Sequence, residues 1–270
     1  MCYPDLKDKC AIVTGGGGVL GQEFCRALVS ASVKVAVVDI DGTRAEECVT
    51  TLLREFPHAT LKAMACNVAD SKSVKNMVGE VADHFGAIHI LHNNAATKGN
   101  DLEAFFTPFE EYSLETWRDI MSVNLDGMFL VAQAVGKQML KQDLGGSIIQ
   151  TASIYGMVAP DQRIYEGSCY LGMEINTPAV YSASKAGVIG LTQYLATYWA
   201  PHRIRVNTLV PGGVASGQNN RFQQNYAARV PLARMAEPSE LTGALLFLAS
   251  EASSYVTGQR IVVDGGLSCW

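Results

Sequence analysis

Short apolar, β-branched runs alternate along the whole chain with longer stretches whose apolar positions recur at helical spacing. The runs predict strands at 10–14 (CAIVT), 34–39 (KVAVVD), 61–67 (LKAMACN), 88–95 (IHILHNNA), 147–153 (SIIQTAS), 204–211 (IRVNTLVP) and 260–265 (RIVVDG). The stretches between them predict helices near 20–30, 43–55, 71–84, 113–142, 181–200 and 238–249. Several strands are apolar at nearly every position, as strands covered on both faces must be. This alternation predicts an α/β fold: a doubly wound parallel sheet with helices on both faces. Such sheets hold ligands beyond the carboxyl ends of their strands, so chemistry is expected just after each strand.

Composition narrows the reading. The chain has 270 residues, 48% hydrophobic and 17% charged, with no linker, repeat or low-complexity segment, which favours one domain spanning 1–270. A net charge of −5 argues against a nucleic-acid footprint. No apolar stretch approaches the roughly 20 residues that span a bilayer, so no membrane partner is expected. The start, MCYPDLKDK, lacks the pattern of a signal peptide. The seven cysteines are odd in number and scattered without a CxxC, which fits reduced thiols in a cytoplasmic protein. His89 and His92 would face opposite sides of a strand, and no metal site is expected.

The first strand runs into TGGGGVLG, residues 14–21, and the second ends at Asp39, 24 residues after Gly15. A glycine loop before a helix lets backbone approach a phosphate, and an acid at that distance accepts hydrogen bonds from the adenosine ribose. Asp39 would repel a 2′-phosphate, and the loop itself carries no Arg or Lys, so NAD is expected in preference to NADP; Arg44 is the one nearby countercharge. Alternatively, Asp39 only begins the turn DIDG, where acids are common.

In YSASK, Tyr181 and Lys185 are four apart and share a helix face. An ammonium beside a phenol favours the phenolate and makes a proton-transfer group. The spacing alone is not specific, since Tyr3 and Lys7 repeat it before the first strand. Tyr181, however, follows a strand ending in TASIYG, whose Ser153 could donate to a substrate oxygen, and Asn124 lies inside the long predicted helix. Taken singly, a strand-end serine and a mid-helix asparagine are more often structural.

Asn124, Ser153, Tyr181 and Lys185 stand in the order of the catalytic tetrad of the short-chain dehydrogenase/reductase family. TGGGGVLG, NNAA (93–96), VNTLVPGG (206–213) and VDGG (263–266) agree with it, so the chain resembles that Rossmann-like family over essentially its whole length. The resemblance implies Tyr181 as general acid/base, Ser153 as the group orienting the reacting oxygen, and Lys185 as the residue that lowers the Tyr181 pKa and binds the nicotinamide ribose. Asn124 would hold a water in a proton relay. The family pattern TGxxxGxG is matched by Thr14, Gly15 and Gly21; Val19 takes the middle glycine, with Gly18 one place early and Leu20 following. The implied cofactor contacts continue with Asn67 and Val68 beside the adenine, Asn94, Val214, and Ser216 where a threonine is frequent. Ser32 replaces a glycine common at the end of the first helix.

From Ser153 to Tyr181 is 28 residues, longer than is usual in the family. The insertion at 157–179 must lie near the reacting carbon because both its ends do. It offers Arg163, Tyr165, Glu166, Glu174 and Asn176, and the lid region at 212–230 adds Gln218, Asn219, Asn220, Arg221 and Gln224. Arg163, Glu166, Glu174 and Gln218 are the candidate substrate contacts, suited to hydroxyls or a carboxylate; the alternative is that both segments are solvated loops. In the segment 97–113, Phe105, Phe106 and Phe109 could be core, pocket wall or interface. A finer resemblance, carried by IYEG, PGGV and the stretch 247–266, is to sugar, sugar-acid and flagellin-modification oxidoreductases. The expected activity is NAD-dependent hydride transfer with a secondary alcohol or ketone of a sugar, sugar acid or polyol. Rival readings are a ketoacyl-thioester reductase and a non-catalytic NAD-bound regulatory subunit. The family's habit implies a homo-oligomer, dimer or tetramer, built on the two long helices.

Overall fold

A computed structural model describes residues 3–270. Its first half runs β1 (Cys10–Thr14), α1 (Val19–Ser30), β2 (Lys34–Asp39), α2 (Gly42–Glu55), β3 (Leu61–Ala65), α3 (Ser71–Phe85), β4 (Ile90–Asn93), α4 (Leu102–Phe106), α5 (Leu114–Met121) and α6 (Met128–Gln142). The second half runs β5 (Gly146–Thr151), β6 (Cys169–Tyr170), β7 (Met173–Glu174), α7 (Ala179–Trp199), β8 (Ile204–Pro211), α8 (Asn220–Ala227), α9 (Thr242–Ala249) and β9 (Arg260–Val263). Seven strands form one parallel sheet in the order β3-β2-β1-β4-β5-β8-β9, while β6 and β7 make a separate antiparallel hairpin. The doubly wound, Rossmann-like expectation is met.

Alternation along the strands divides the core. Ala11, Val13, Val35 and Val37 point to the face covered by α1, α2 and α9, where Phe24, Leu28 and Leu245 are fully buried. Ile12, Ala36 and Val38 point to the other face, against Val81, Val131 and Trp199 from α3, α6 and α7. Both faces are covered, which explains the strands' unbroken apolar runs.

Four predicted strands run two residues too far, to 67, 95, 153 and 265, where the sheet ends at Ala65, Asn93, Thr151 and Val263. At these ends the backbone leaves the ladder for other partners: Asn94 N and Ala95 N donate to Thr14 Oγ1 at 2.9 and 3.1 Å. The predicted helix at 113–142 is interrupted by a π-helical turn, Ser122–Gly127, between α5 and α6. The segment around 220, expected as an irregular lid, contains α8. Its start is capped by Asn219, whose Oδ1 accepts from Phe222 N at 2.9 Å. Ser32 adopts φ +64°, so the residue replacing the family glycine keeps the left-handed backbone.

Candidate active site

β1 connects to one side of the sheet and β4 lies on the other, so the strand order reverses between them and leaves a crevice at their carboxyl ends. Thr14 fastens the two strands there: its Oγ1 donates to Asn93 Oδ1 at 3.2 Å, and Asn94 Nδ2 donates to Thr14 O at 3.2 Å. The glycine loop bends over this point. Gly15 has φ +63°, and a Cβ on Gly21 would lie 2.0 Å from Gly15 O, so neither position admits a side chain. α1 begins on Gly18 with no side-chain cap, whereas Asp41, Asp70 and Ser113 cap α2, α3 and α5. Its first turn thus has no capping side chain on its N–H groups, the arrangement that suits a phosphate. Val19 is 59% exposed at the mouth and does not block it; Leu20 packs into the core.

Asp39 is buried at the end of β2, accepting from Gly17 N at 3.0 Å and Asp41 N at 3.2 Å. Its carboxylate therefore also braces the loop. Arg44 reaches back to donate to Gly17 O at 3.1 Å, so the loop has a cation beside it after all. The adenine-side residues fit less fully. Asn67 Oδ1 already accepts from Ala69 N at 3.0 Å, and Val68 is 7% exposed, packed in the core against Gly127. This donor set and cradle fit a dinucleotide.

Tyr181 and Lys185 project from the first turns of α7, as their spacing predicts. Lys185 is 2% exposed and donates to Thr151 O at 3.0 Å; its ammonium is 5.8 Å from the Tyr181 ring centroid. Burial holds Lys185 down to about 8. Burial also pushes the Tyr181 phenol up, and a hydrogen bond with Ser153 partly offsets it. The sequence expectation of a depressed Tyr181 pKa is not met here, because desolvation of the phenolate outweighs its neighbours. Ser153 stands at the end of the β5 segment, its Oγ accepting from Tyr155 N at 3.2 Å. Asn124 sits in the π turn, fully buried, and clamps Thr97: Oδ1 accepts from Thr97 N at 2.7 Å and Nδ2 donates to Thr97 O at 3.1 Å. A π turn offsets the helical register and so turns a mid-helix asparagine inward.

Ser153 and Tyr181 open into a cavity of about 490 Å³, shared with Val19, Val214, Ser216 and Gln218. Gln218 bridges Val214 O and Ser216 Oγ, both at 2.9 Å. Of the four candidate substrate contacts only Gln218 lines this cavity. Arg163, 73% exposed, is held by both carboxylate oxygens of Asp161 at 2.8 Å, while Glu166 and Glu174 face solvent. The insertion turns this way because its apolar side packs on the lid: Ile164 is buried with Tyr226, and Tyr165 stacks on Phe222 at 5.4 Å. Tyr165, Asn176 and Thr177 are among its contributions to the cavity wall, with Cys169, Tyr170, Ile175 and Pro178. A second, larger cavity of about 850 Å³ runs along Ala179, Ser182, Ala183 and Ala186 of α7; it adjoins the first, sharing Tyr155, Ile175, Asn176, Thr177 and Pro178, but Ser153 and Tyr181 do not line it. Phe105 is core and cavity wall, Phe106 is wall, and Phe109 is 73% exposed.

The family model described as Enoyl-(Acyl carrier protein) reductase matches residues 18–268. A short-chain dehydrogenase from Leptospira borgpetersenii, solved with bound NAD⁺, superposes with a TM-score of 0.84 at 34% identity, covering 97% of this chain and 93% of that one. The chain belongs to the short-chain dehydrogenase/reductase family. It is an oxidoreductase of CH–OH groups. Among its relatives, D-arabinitol 2-dehydrogenase (ribulose-forming) of Candida albicans is 34% identical over 98% of this chain and 94% of its own. The 2-dehydro-3-deoxy-D-gluconate 5-dehydrogenase of Escherichia coli is 34% identical over 97% and 96%. Among the cavity residues left without a role by the sequence is Lys98, just beyond NNAA, which lines the same space as Tyr181. Among the described residues there is no group of three potential metal ligands, and no helix long and apolar enough to cross a membrane.

Proposed function

We propose that this oxidoreductase interconverts a secondary alcohol and a ketone on a polyol, sugar or sugar acid, with NAD as its nicotinamide partner. The observation that carries the reading is the shared cavity of Ser153 and Tyr181 beside the phosphate cradle, walled by Gln218, Asn176 and Thr177. Relatives named for a polyol and a sugar acid support the substrate class. When bound, the cofactor supplies the hydride acceptor or donor. In oxidation, Ser153 Oγ hydrogen-bonds the carbinol oxygen while the Tyr181 phenolate removes its proton. In reduction, the Tyr181 hydroxyl returns that proton to the carbonyl oxygen. Lys185, hydrogen-bonded to Thr151 O, fixes the floor of the site, and Asn124 holds the Thr97 backbone beneath it.

Gly15, Gly18, Val19 and Leu20 would hold the pyrophosphate by backbone, with Gly21 setting the turn, and Asn94, Val214 and Ser216 would line the nicotinamide half. Asn67 and Val68 would touch the adenine. Asp39 would bind the ribose hydroxyls and oppose a 2′-phosphate, with Arg44 the opposing influence. The protein would act as a homo-oligomer in the cytoplasm.

The test is turnover on a panel of alditols, sugars and aldonates with NAD⁺ and with NADP⁺. Tyr181→Phe should lower kcat by about 10²–10⁴-fold, since it removes the proton-transfer group. Because burial raises the Tyr181 pKa, the phenol stays protonated near neutrality, so oxidation should accelerate and reduction slow as pH rises. Unchanged turnover in Tyr181→Phe, or a preference for NADP⁺, would refute the respective assignment.

A further inference from the structure

The cavity that holds Ser153 and Tyr181 is lined by polar, aromatic and aliphatic side chains, the last including Val19, Ile175 and Met235, and, among the described residues, by no Asp or Glu. Its lining contains one charged group, the ammonium of Lys98. Lys98 belongs to the loop leaving β4, five residues past Asn93. Its Nζ is 5.6 Å from the centroid of the Tyr170 ring, at the tip of the β6–β7 hairpin. That hairpin is itself tied to the lid, since Asn219 Nδ2 donates to Cys169 O at 2.6 Å and to Ser168 Oγ at 2.9 Å. Among the described residues no carboxylate lies within salt-bridge distance of Lys98.

Lys98 is exposed on the cavity wall with an aromatic face beside it, and such a cation retains its capacity to bind an anion. A Lys ammonium is a compact point charge that serves carboxylate and phosphate alike. A neutral polyol offers that charge no countercharge, whereas an anionic group does. The side chains on the rim, Tyr170, Asn219 and Gln218, are uncharged and do not compete for the group.

We propose that Lys98 selects a polyhydroxylated substrate that carries an anionic group, a carboxylate or phosphate ester, at a distance from the carbon that reacts at Tyr181. The inference rests on the polyhydroxylated substrate proposed above and specifies which member of that class fits.

The experiment compares matched alditols, aldonates and alditol phosphates of four to six carbons, in the intact chain, Lys98→Gln and Lys98→Arg. The expected result is a kcat/KM preference for one anionic series over the matching alditol. Lys98→Gln should reduce that preference about 10- to 100-fold, chiefly through KM, with Lys98→Arg recovering part of it. Which of the two series is preferred separates carboxylate from phosphate. Preference for the neutral alditol, or the same anion-to-alditol ratio in Lys98→Gln, would overturn the proposal while leaving the dehydrogenase reading standing. Calorimetric binding of the same anions to Tyr181→Phe in the presence of NADH gives a readout independent of turnover. If nothing in the panel is turned over, the substrate proposal above fails. In that case weaker anion binding in Tyr181→Phe/Lys98→Gln than in Tyr181→Phe alone keeps the anion site, and equal or undetectable binding removes it.

Discussion

Lys185 carries an ammonium into a site with one hydrogen-bond acceptor, Thr151 O, and is 2% exposed. Its proton is held less firmly in the folded protein, at about 8, than in the unfolded chain, at 10.5. Between those values the unfolded chain binds more protons, so this group makes stability rise with pH across that window. Below it, keeping the charge buried costs up to about 3 kcal/mol. Lys185→Met should therefore be more stable than the parent at pH 7 by about 1–3 kcal/mol in denaturant titrations, and inactive. The gap should narrow as pH rises from 8 toward 10.5; a gap independent of pH would refute the account. Spacing alone placed Tyr181 and Lys185 on one face of α7, because four residues make about one turn. It could not give the direction of the Tyr181 pKa, which depends on how deeply the phenol is buried. Nor could it tell Lys98, aimed into the cavity, from Arg163, aimed away and paired with Asp161: both are basic residues in loops near the site.

At the scale of elements, periodicity captured every strand of the sheet, and its overshoot fell where the chain turns off the sheet to build the site. The lid helix α8 was missed because polar residues dominate NRFQQNYA. Its signal was present, however: an Asn cap followed by Phe222 and Tyr226 four apart. The insertion's orientation was not legible, since it depends on a partner distant in sequence. Insertion and lid form one unit, in which Asn225 Nδ2 donates to Ile164 O at 3.1 Å and Glu166 O at 3.0 Å. Asn225 does not line the Tyr181 cavity. Asn225→Ala should remove about 1–2 kcal/mol of local stability. The expected consequences are faster amide exchange over 162–176 and 217–227, a several-fold higher KM, and unaltered exchange in β1, β4 and β5. Uniformly faster exchange across the sheet would instead assign Asn225 a global role.

For the molecule as a whole, the sequence pattern was sufficient because both sheet faces are covered and the apolar runs record it directly. What one chain's pattern does not reveal is where a second copy would sit. Phe129 on α6 and Tyr194 and Tyr198 on α7 are 43%, 62% and 61% exposed, the two tyrosines stacked 5.7 Å apart. Exposed aromatics on the two long helices are the surface expected to close in the proposed dimer or tetramer. Light scattering should return a multiple of 29.0 kDa, and Tyr194→Asp/Tyr198→Asp should shift it toward the monomer mass; a monomeric parent would remove the proposal. The π turn at Ser122–Gly127 bears on the site more than on this surface. A π turn holds one residue more than the α-helical turn it replaces, so deleting one position there would let α5 and α6 join as one regular helix without rotating either. Ile120 and Met128 would stay buried in their clusters and Phe129 would keep its outer face, while Asn124 would lose the turn that aims its amide at Thr97. Loss of a single residue would thus give a smoother helix and a poorer site, and this segment carries its extra residue for chemistry and not for packing.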